Sequence, residues 1–164
     1  MYSLDLINNP TVFRRLVNLW PPLWAAGISV REVSADWMYA RIRLSLRFYN
    51  RNFIGTQYGG SLFSMTDMMY MLMLLHHIGR DHWVWDKSAD INFIKPGRGP
   101  VYAEFMLDQT RIDNIVAAAA TKEKHFEAFE IEVKNNSGEL IAKVGRLIYV
   151  RQKPAKENPI KNER

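Results

Sequence analysis

The chain contains no cysteine. Disulfides, thiolate metal sites and cysteine nucleophiles are thereby excluded together. Histidine is almost as scarce, with only His76, His77, His82 and His125 present. Helix neighbours point about 100° apart, which gives the His76–His77 pair poor spacing for a shared metal ion. Neither a metal nor a cofactor is expected. Met1 to Leu6 lacks the basic start, apolar stretch and small-residue cleavage site of a secretory leader, so a cytoplasmic location is expected. No internal repeat and no low-complexity run occurs. There is no basic stripe with interleaved aromatics either, so nucleic acid is not an expected partner.

Long uncharged stretches are also missing, with one exception, Ser61 to Ile78. A membrane span needs about twenty predominantly apolar residues, and Ser61, Ser64, Thr66 and above all Asp67 interrupt this one. No membrane span is expected. A helix that is apolar on all sides belongs inside a fold.

What is present is a globular composition: 164 residues, 48% hydrophobic and 24% charged. This suits one ordinary domain able to bury most of its apolar surface. The net charge of +5 is uneven. Arg151, Lys153, Lys156, Lys161 and Arg164 face only Glu157 and Glu163, with Pro154 and Pro159 between them. Residues 152–164 are expected to form a basic flexible tail, either simply solvated or able to attract a polyphosphate.

From Thr11 to Ala26 apolar residues recur at helical spacing, with Asn9 as cap and Pro10 as starter. Pro21 and Pro22 break or kink that helix. Residues 1–26 are read as a helical segment packed on a main domain of 27–151, with Trp20, Leu23 and Trp24 as its stopper. Ile28 to Val33 and Met38 to Leu46 alternate as strands. In the second, Arg41, Arg43 and Arg47 share a face that is either solvated or part of a phosphate-binding rim. A long buried helix is expected over Ser61 to Ile78, closed by Gly79. Strands follow over Trp83 to Ile94 and Val101 to Thr110. A short helix, Ile112 to Lys122 capped by Asp113, comes next. Strands His125 to Val133 and Leu140 to Val150 are joined by the turn Asn135 to Gly138. Consecutive hairpins around one helix imply an α+β fold, an antiparallel sheet with the helix on its concave face.

The segment Asn52 to Asp67 carries the chemistry. Gly59 and Gly60 precede the helix and let a ligand or another backbone come close. Free N–H groups there sit at the positive end of the helix dipole, suited to the oxyanion of acyl transfer. Close packing of the helix start against the sheet explains the glycines equally well. Asp67 lies about two turns into an apolar helix, on a face with Phe63, Ser64, Tyr70 and Met71. A buried carboxylate is paired, protonated or functional. Pairing across a dimer interface, for instance with an arginine, is one reading. A catalytic carboxylate, as general base or nucleophile, is the other. Met65, Met68, Met69, Met71 and Met73 crowd the same helix, either as core or, at Met68 and Met71, beside a tunnel for an acyl chain.

This pattern resembles the hotdog-fold thioesterases of the phenylacetyl-CoA type. Their asparagine, Gly-Thr-x-His-Gly-Gly run, phenylalanine and helical aspartate are similar to Asn52, Gly55 to Gly60, Phe63 and Asp67. The strand Ala89 to Pro96 resembles the family's strand and turn after the helix, and the order of elements agrees over about residues 27–151. The resemblance implies a hotdog fold in which Asp67 is base or nucleophile and the Gly60 N–H binds the thioester oxygen. Asn52 holds the water, and Gly59, Thr56, Phe63, Met68 and Met71 surround the substrate. It also implies an acyl-CoA or other acyl thioester as substrate, and a homodimer or dimer of dimers with the site between subunits. The family's histidine is Tyr58 here, whose hydroxyl reaches farther than an imidazole nitrogen. Tyr58 is therefore read either as a catalytic donor or as the mark of a protein that binds acyl-CoA or lipid without cleaving it. Hydratase chemistry on the same fold lacks its histidine.

Overall fold

The computed structural model describes residues 9–121 and 124–154. Helix α1 (Pro10–Val17) starts as the sequence dictates: the Asn9 carboxamide accepts from the Thr11 and Val12 amides at 3.0 and 3.1 Å. A second helix, α2 (Pro21–Ala26), begins at the proline pair and ends on Gly27 at φ 82°. Between them Asn18 turns its amide onto the first strand, donating to the Val30 carbonyl at 3.0 Å and accepting from its N–H at 2.7 Å. Phe13 and Leu23 are buried, whereas Trp20 and Trp24 are exposed, so Leu23 alone of the expected stopper reaches the core.

Six strands follow: β1 (Ile28–Val33), β2 (Tyr39–Leu44), β3 (His82–Phe93), β4 (Val101–Met106), β5 (His125–Asn135) and β6 (Leu140–Gln152). They form one antiparallel sheet in the order β1-β2-β4-β5-β6-β3. Alternation sets the faces. Ala40, Ile42 and Leu44 are fully buried while Arg41 and Arg43 point the other way. In β6 the buried register is Ala142, Val144, Arg146, Ile148 and Val150. β4 and β5 pair only from Val101–Asn135 to Ala103–Val133 and then part. Helix α5 (Gln109–Ala120) connects them.

That helix starts earlier than expected. Asp108 caps it by accepting from the Arg111 N–H at 2.8 Å, while Asp113 accepts from Gln109 Nε2 at 2.8 Å. β4 consequently stops at Met106. Lys122, the expected helix end, lies outside the described residues, as does most of the expected tail, residues 155–164.

The curved sheet wraps a central helix, which gives the hotdog architecture in an α+β fold. Its largest buried side chains include Met65, Met69, Met73 and Leu74 from the helix and Ile42, Phe105, Ile131 and Ile141 from the sheet. The central helix is not one continuous rod. It comprises α3 (Gly59–Ser64) and α4 (Met69–Ile78), separated at Met65–Met68, where Met68 has φ 58°. Thr66 causes the break locally: its N–H and Oγ1 both donate to the Phe63 carbonyl, at 3.2 and 2.8 Å, drawing the chain out of helical pairing. Among the described residues no helix is long and apolar enough to cross a membrane.

Candidate functional site

The loop before α3 is organised by Asn52. Its Oδ1 accepts from the Ile54 and Thr56 amides at 3.1 and 3.0 Å. Its Nδ2 donates to Thr56 Oγ1 at 2.8 Å and to the Gln57 carbonyl at 3.3 Å. Both ends of the side chain are thus engaged within the loop. Gln57 anchors the loop to the sheet, donating from Nε2 to the Gly99 carbonyl at 2.8 Å and from its backbone N–H to the Gly97 carbonyl at 2.9 Å. Thr56 and Gln57 are both 3% exposed.

Tyr58 is the residue before α3, extended at φ −71° and ψ 129°. The N–H groups of Ser61 and Leu62 close onto its carbonyl at 3.0 and 3.1 Å, leaving Gly59 and Gly60 to lead the turn. Aromatic rings lie close over both glycines. A Cβ on Gly60 would lie 2.5 Å from Cε1 of the Tyr58 ring, and one on Gly59 would lie 3.0 Å from Cζ of Phe93. The Tyr58 ring therefore covers Gly60 while staying largely exposed to solvent.

Beside this helix start lies an open cleft of about 320 Å³, lined by Ile54, Leu62, Phe93 and Ile94 with Lys95 and Gln57. Of the residues proposed from sequence, Asn52, Thr56 and Gly59 also line it. Tyr58, Gly60, Phe63, Asp67, Met68 and Met71 are not among its lining residues. Met68, Met71 and Phe63 are partly buried against the core.

Asp67 sits in the break between α3 and α4 rather than on a continuous helix face, because the chain leaves the helix at Met65. Its side chain is 61% exposed, yet Oδ1 accepts from Arg146 Nη1 at 2.8 Å. Arg146, projecting from β6, is 4% exposed. The same nitrogen donates to Asp86 Oδ1 at 3.2 Å, and Nη2 donates to the Phe63 carbonyl at 3.1 Å and Thr66 Oγ1 at 3.3 Å. The guanidinium also lies 4.9 Å from the Phe63 ring centroid, within cation–π range. Burial pushes the Asp86 carboxyl up; the Arg146 charge opposes this, and Asp67 adds slightly to it. The arginine partner anticipated for Asp67 thus exists within the same chain.

Neither Arg146 nor Asp86 was singled out from sequence. The signal for Arg146 was available, since alternation in β6 puts it between Val144 and Ile148 on the inward face. Asp86 was hidden by the register shift between Asp86 and Ser88, which defeats simple counting along β3. Among the described residues no cluster of three His, Asp or Glu side chains could hold a metal ion.

Fold and connectivity define a hotdog protein. More narrowly, the chain belongs to the family described as Domain of unknown function (DUF4442), which matches residues 10–150. No curated protein matches it. Among solved structures, one resembling it is a Pseudomonas aeruginosa protein of unknown function described as a "Probable Thioesterase". The two share 22% identity over 88% of this chain and 99% of that one, with a TM-score of 0.77. A Chlorobaculum tepidum protein of unknown function shares 15% identity over 90% and 98% of the two chains, TM-score 0.71. A thioesterase from Haemophilus influenzae shares 12% identity over 96% of each, TM-score 0.63.

Proposed function

We propose that this protein is a thioester hydrolase, cleaving an acyl-CoA or related acyl thioester. The observation that carries the reading is Asp67. It is a carboxylate set at a break in the central helix, with Oδ1 on Arg146 and the side chain open to solvent. The P. aeruginosa protein described as a "Probable Thioesterase" and the H. influenzae thioesterase, which share this fold, support it. In the reaction, Asp67 takes a proton from water as the water oxygen adds to the thioester carbonyl carbon. The carbonyl oxygen gains negative charge and is met by the N–H of Gly60, with Tyr58 in reach as a second donor. Collapse breaks the C–S bond, and the thiolate leaves and is protonated. Direct attack by Asp67 would form an anhydride that water then opens.

Asn52, Thr56 and Gly59 flank the apolar cleft, where Ile54, Leu62, Phe93 and Ile94 suit an acyl or pantetheine chain and Lys95 suits a phosphate. That Asp67 lies outside the cleft of one chain supports a site completed between two copies. β3 ends the sheet with one edge unpaired, which supports a homodimer joined there, and a dimer of such dimers extends it. Met68 and Met71 border the acyl chain in this reading.

A second reading rests on Tyr58. Its ring covers Gly60 where the resembling thioesterases carry histidine, which favours a protein that holds acyl-CoA or lipid without cleaving it. The deciding assay is thiol release from acyl-CoAs of acetyl to palmitoyl length, with Asp67→Asn alongside. Turnover on some chain length, lost in the variant, supports the hydrolase. Tight binding with no turnover at any length supports the binding protein.

A further inference from the structure

We propose that Arg146 is the positioning residue for Asp67, fixing which carboxylate oxygen faces the reacting centre; this rests on Asp67 being the catalytic carboxylate. An arginine in the buried register of an apolar strand is expensive unless acceptors are arranged to meet it. Here four acceptors meet the two Nη nitrogens, while the buried Nε has no partner among the described residues. Nη1 holds Asp67 Oδ1 at 2.8 Å and Asp86 Oδ1 at 3.2 Å. Nη2 holds the Phe63 carbonyl at 3.1 Å and Thr66 Oγ1 at 3.3 Å.

The geometry does two things at once. Phe63 and Thr66 belong to the segment that leaves the helix, so Nη2 fixes the backbone on which Asp67 stands. Nη1 then fixes the carboxylate itself, by one oxygen. Because the guanidinium is planar, the two grips cannot rotate independently. Oδ1 is occupied by Arg146, and with the side chain 61% exposed Oδ2 is the oxygen left to act. A staple needed only to hold the break would stop at the Phe63 carbonyl. The additional hold on Asp67 turns the break into a mount for the reactive group. Asp86 keeps the arginine from following Asp67 outward, since it tethers the same nitrogen from β3.

The test compares wild type, Arg146→Gln, Arg146→Lys and Asp67→Asn by steady-state thiol release and thermal melting. With Asp67 misplaced but present, Arg146→Gln lowers kcat by about 100-fold while KM stays within about twofold. Arg146→Lys restores part of kcat, because an ammonium supplies the charge without the fork. A role confined to the fold would lower the melting temperature without this split between kcat and KM or this graded rescue. Wild-type kcat in folded Arg146→Gln, a loss confined to KM, or failure of both arginine variants to fold would each overturn the inference. An inactive Asp67→Asn beside fully active arginine variants defeats this inference alone. An active Asp67→Asn, or a wild type without turnover, removes the reading of Asp67 and this inference with it.

Discussion

α3 and α4 occupy the same sheet-lined groove, yet they are held there by different forces. α4 is core: Met69, Met73 and Leu74 have no exposure at all, and its stability comes from apolar burial on nearly every side. α3 and the break after it also bury Leu62 and Met65, but polar contacts fix their shape. The Tyr58 carbonyl starts the turn, Thr66 closes it early, and a buried arginine reaches across from β6 to collect the Phe63 carbonyl and Asp67. Apolar packing is non-directional and tolerant, whereas hydrogen bonds fix angles. The half that must aim a group is therefore built from directional contacts, and the half that must only stay put is built from burial.

This contrast is broken most sharply by exchanging the expected effects of two substitutions. Asp67→Asn should cut thiol release by about 10²–10⁴-fold, while costing about 1–3 kcal/mol in urea unfolding, since it leaves the buried Arg146 an oxygen acceptor but removes the charge. Leu74→Ala should do the reverse, costing about 2–5 kcal/mol of stability with kcat per folded molecule nearly unchanged. If Leu74→Ala in its folded form lost activity as completely as Asp67→Asn, the division between the halves would be wrong. A smaller effect is expected at the junction. Met68 adopts φ 58°, a conformation that costs a non-glycine residue roughly 1–3 kcal/mol. Met68→Gly should therefore be more stable than Met68→Ala by about 1 kcal/mol in matched denaturant titrations; equal stabilities would mean that the break carries no strain.

The smallest effect is a pH slope. Asp86 has its carboxyl raised by burial, so the folded state binds its proton more tightly than the unfolded chain does. Its contribution to stability is then greatest below the ordinary aspartate value and is lost as pH rises from there through the raised value of the folded state. Urea midpoints of wild type and Asp86→Asn at pH 4 and pH 7 should show wild type gaining on the variant at the lower pH. A difference that does not change with pH would mean that Arg146 fully offsets the burial.

Much of the frame was legible because period and turn chemistry repeat the same message. The alternation of β2, the Asn9–Pro10 helix start and the Asn135–Gly138 turn are local signals, and each stands where it was read. The central helix was legible as buried but not as broken. Its apolar run hides Thr66, whose hydroxyl donates to the Phe63 carbonyl and accepts from an arginine eighty residues later. The α5 cap was misplaced because Asp108 and Asp113 are equally good residues for it, and only the end of β4 at Met106 chooses between them. At the site, Asn52, Thr56 and Gly59 could be gathered from one short segment that folds on itself. Asp67 and Arg146 could not be paired, since nothing in the chain's local pattern states which strand will lie beneath the helix.

The sheet order has a consequence for how the molecule comes into being. β6, the sixth strand in chain order, inserts between β5 and β3. Until residue 140 and its successors emerge, β3 has no neighbour, and the carboxylate at residue 67 has no cation. The arginine it awaits stands 79 positions downstream. Long-range closures of this kind slow folding, so β3 and Asp67 gain their partners in one late step, and a chain stopped at the Asn135–Gly138 turn would lack both pairings.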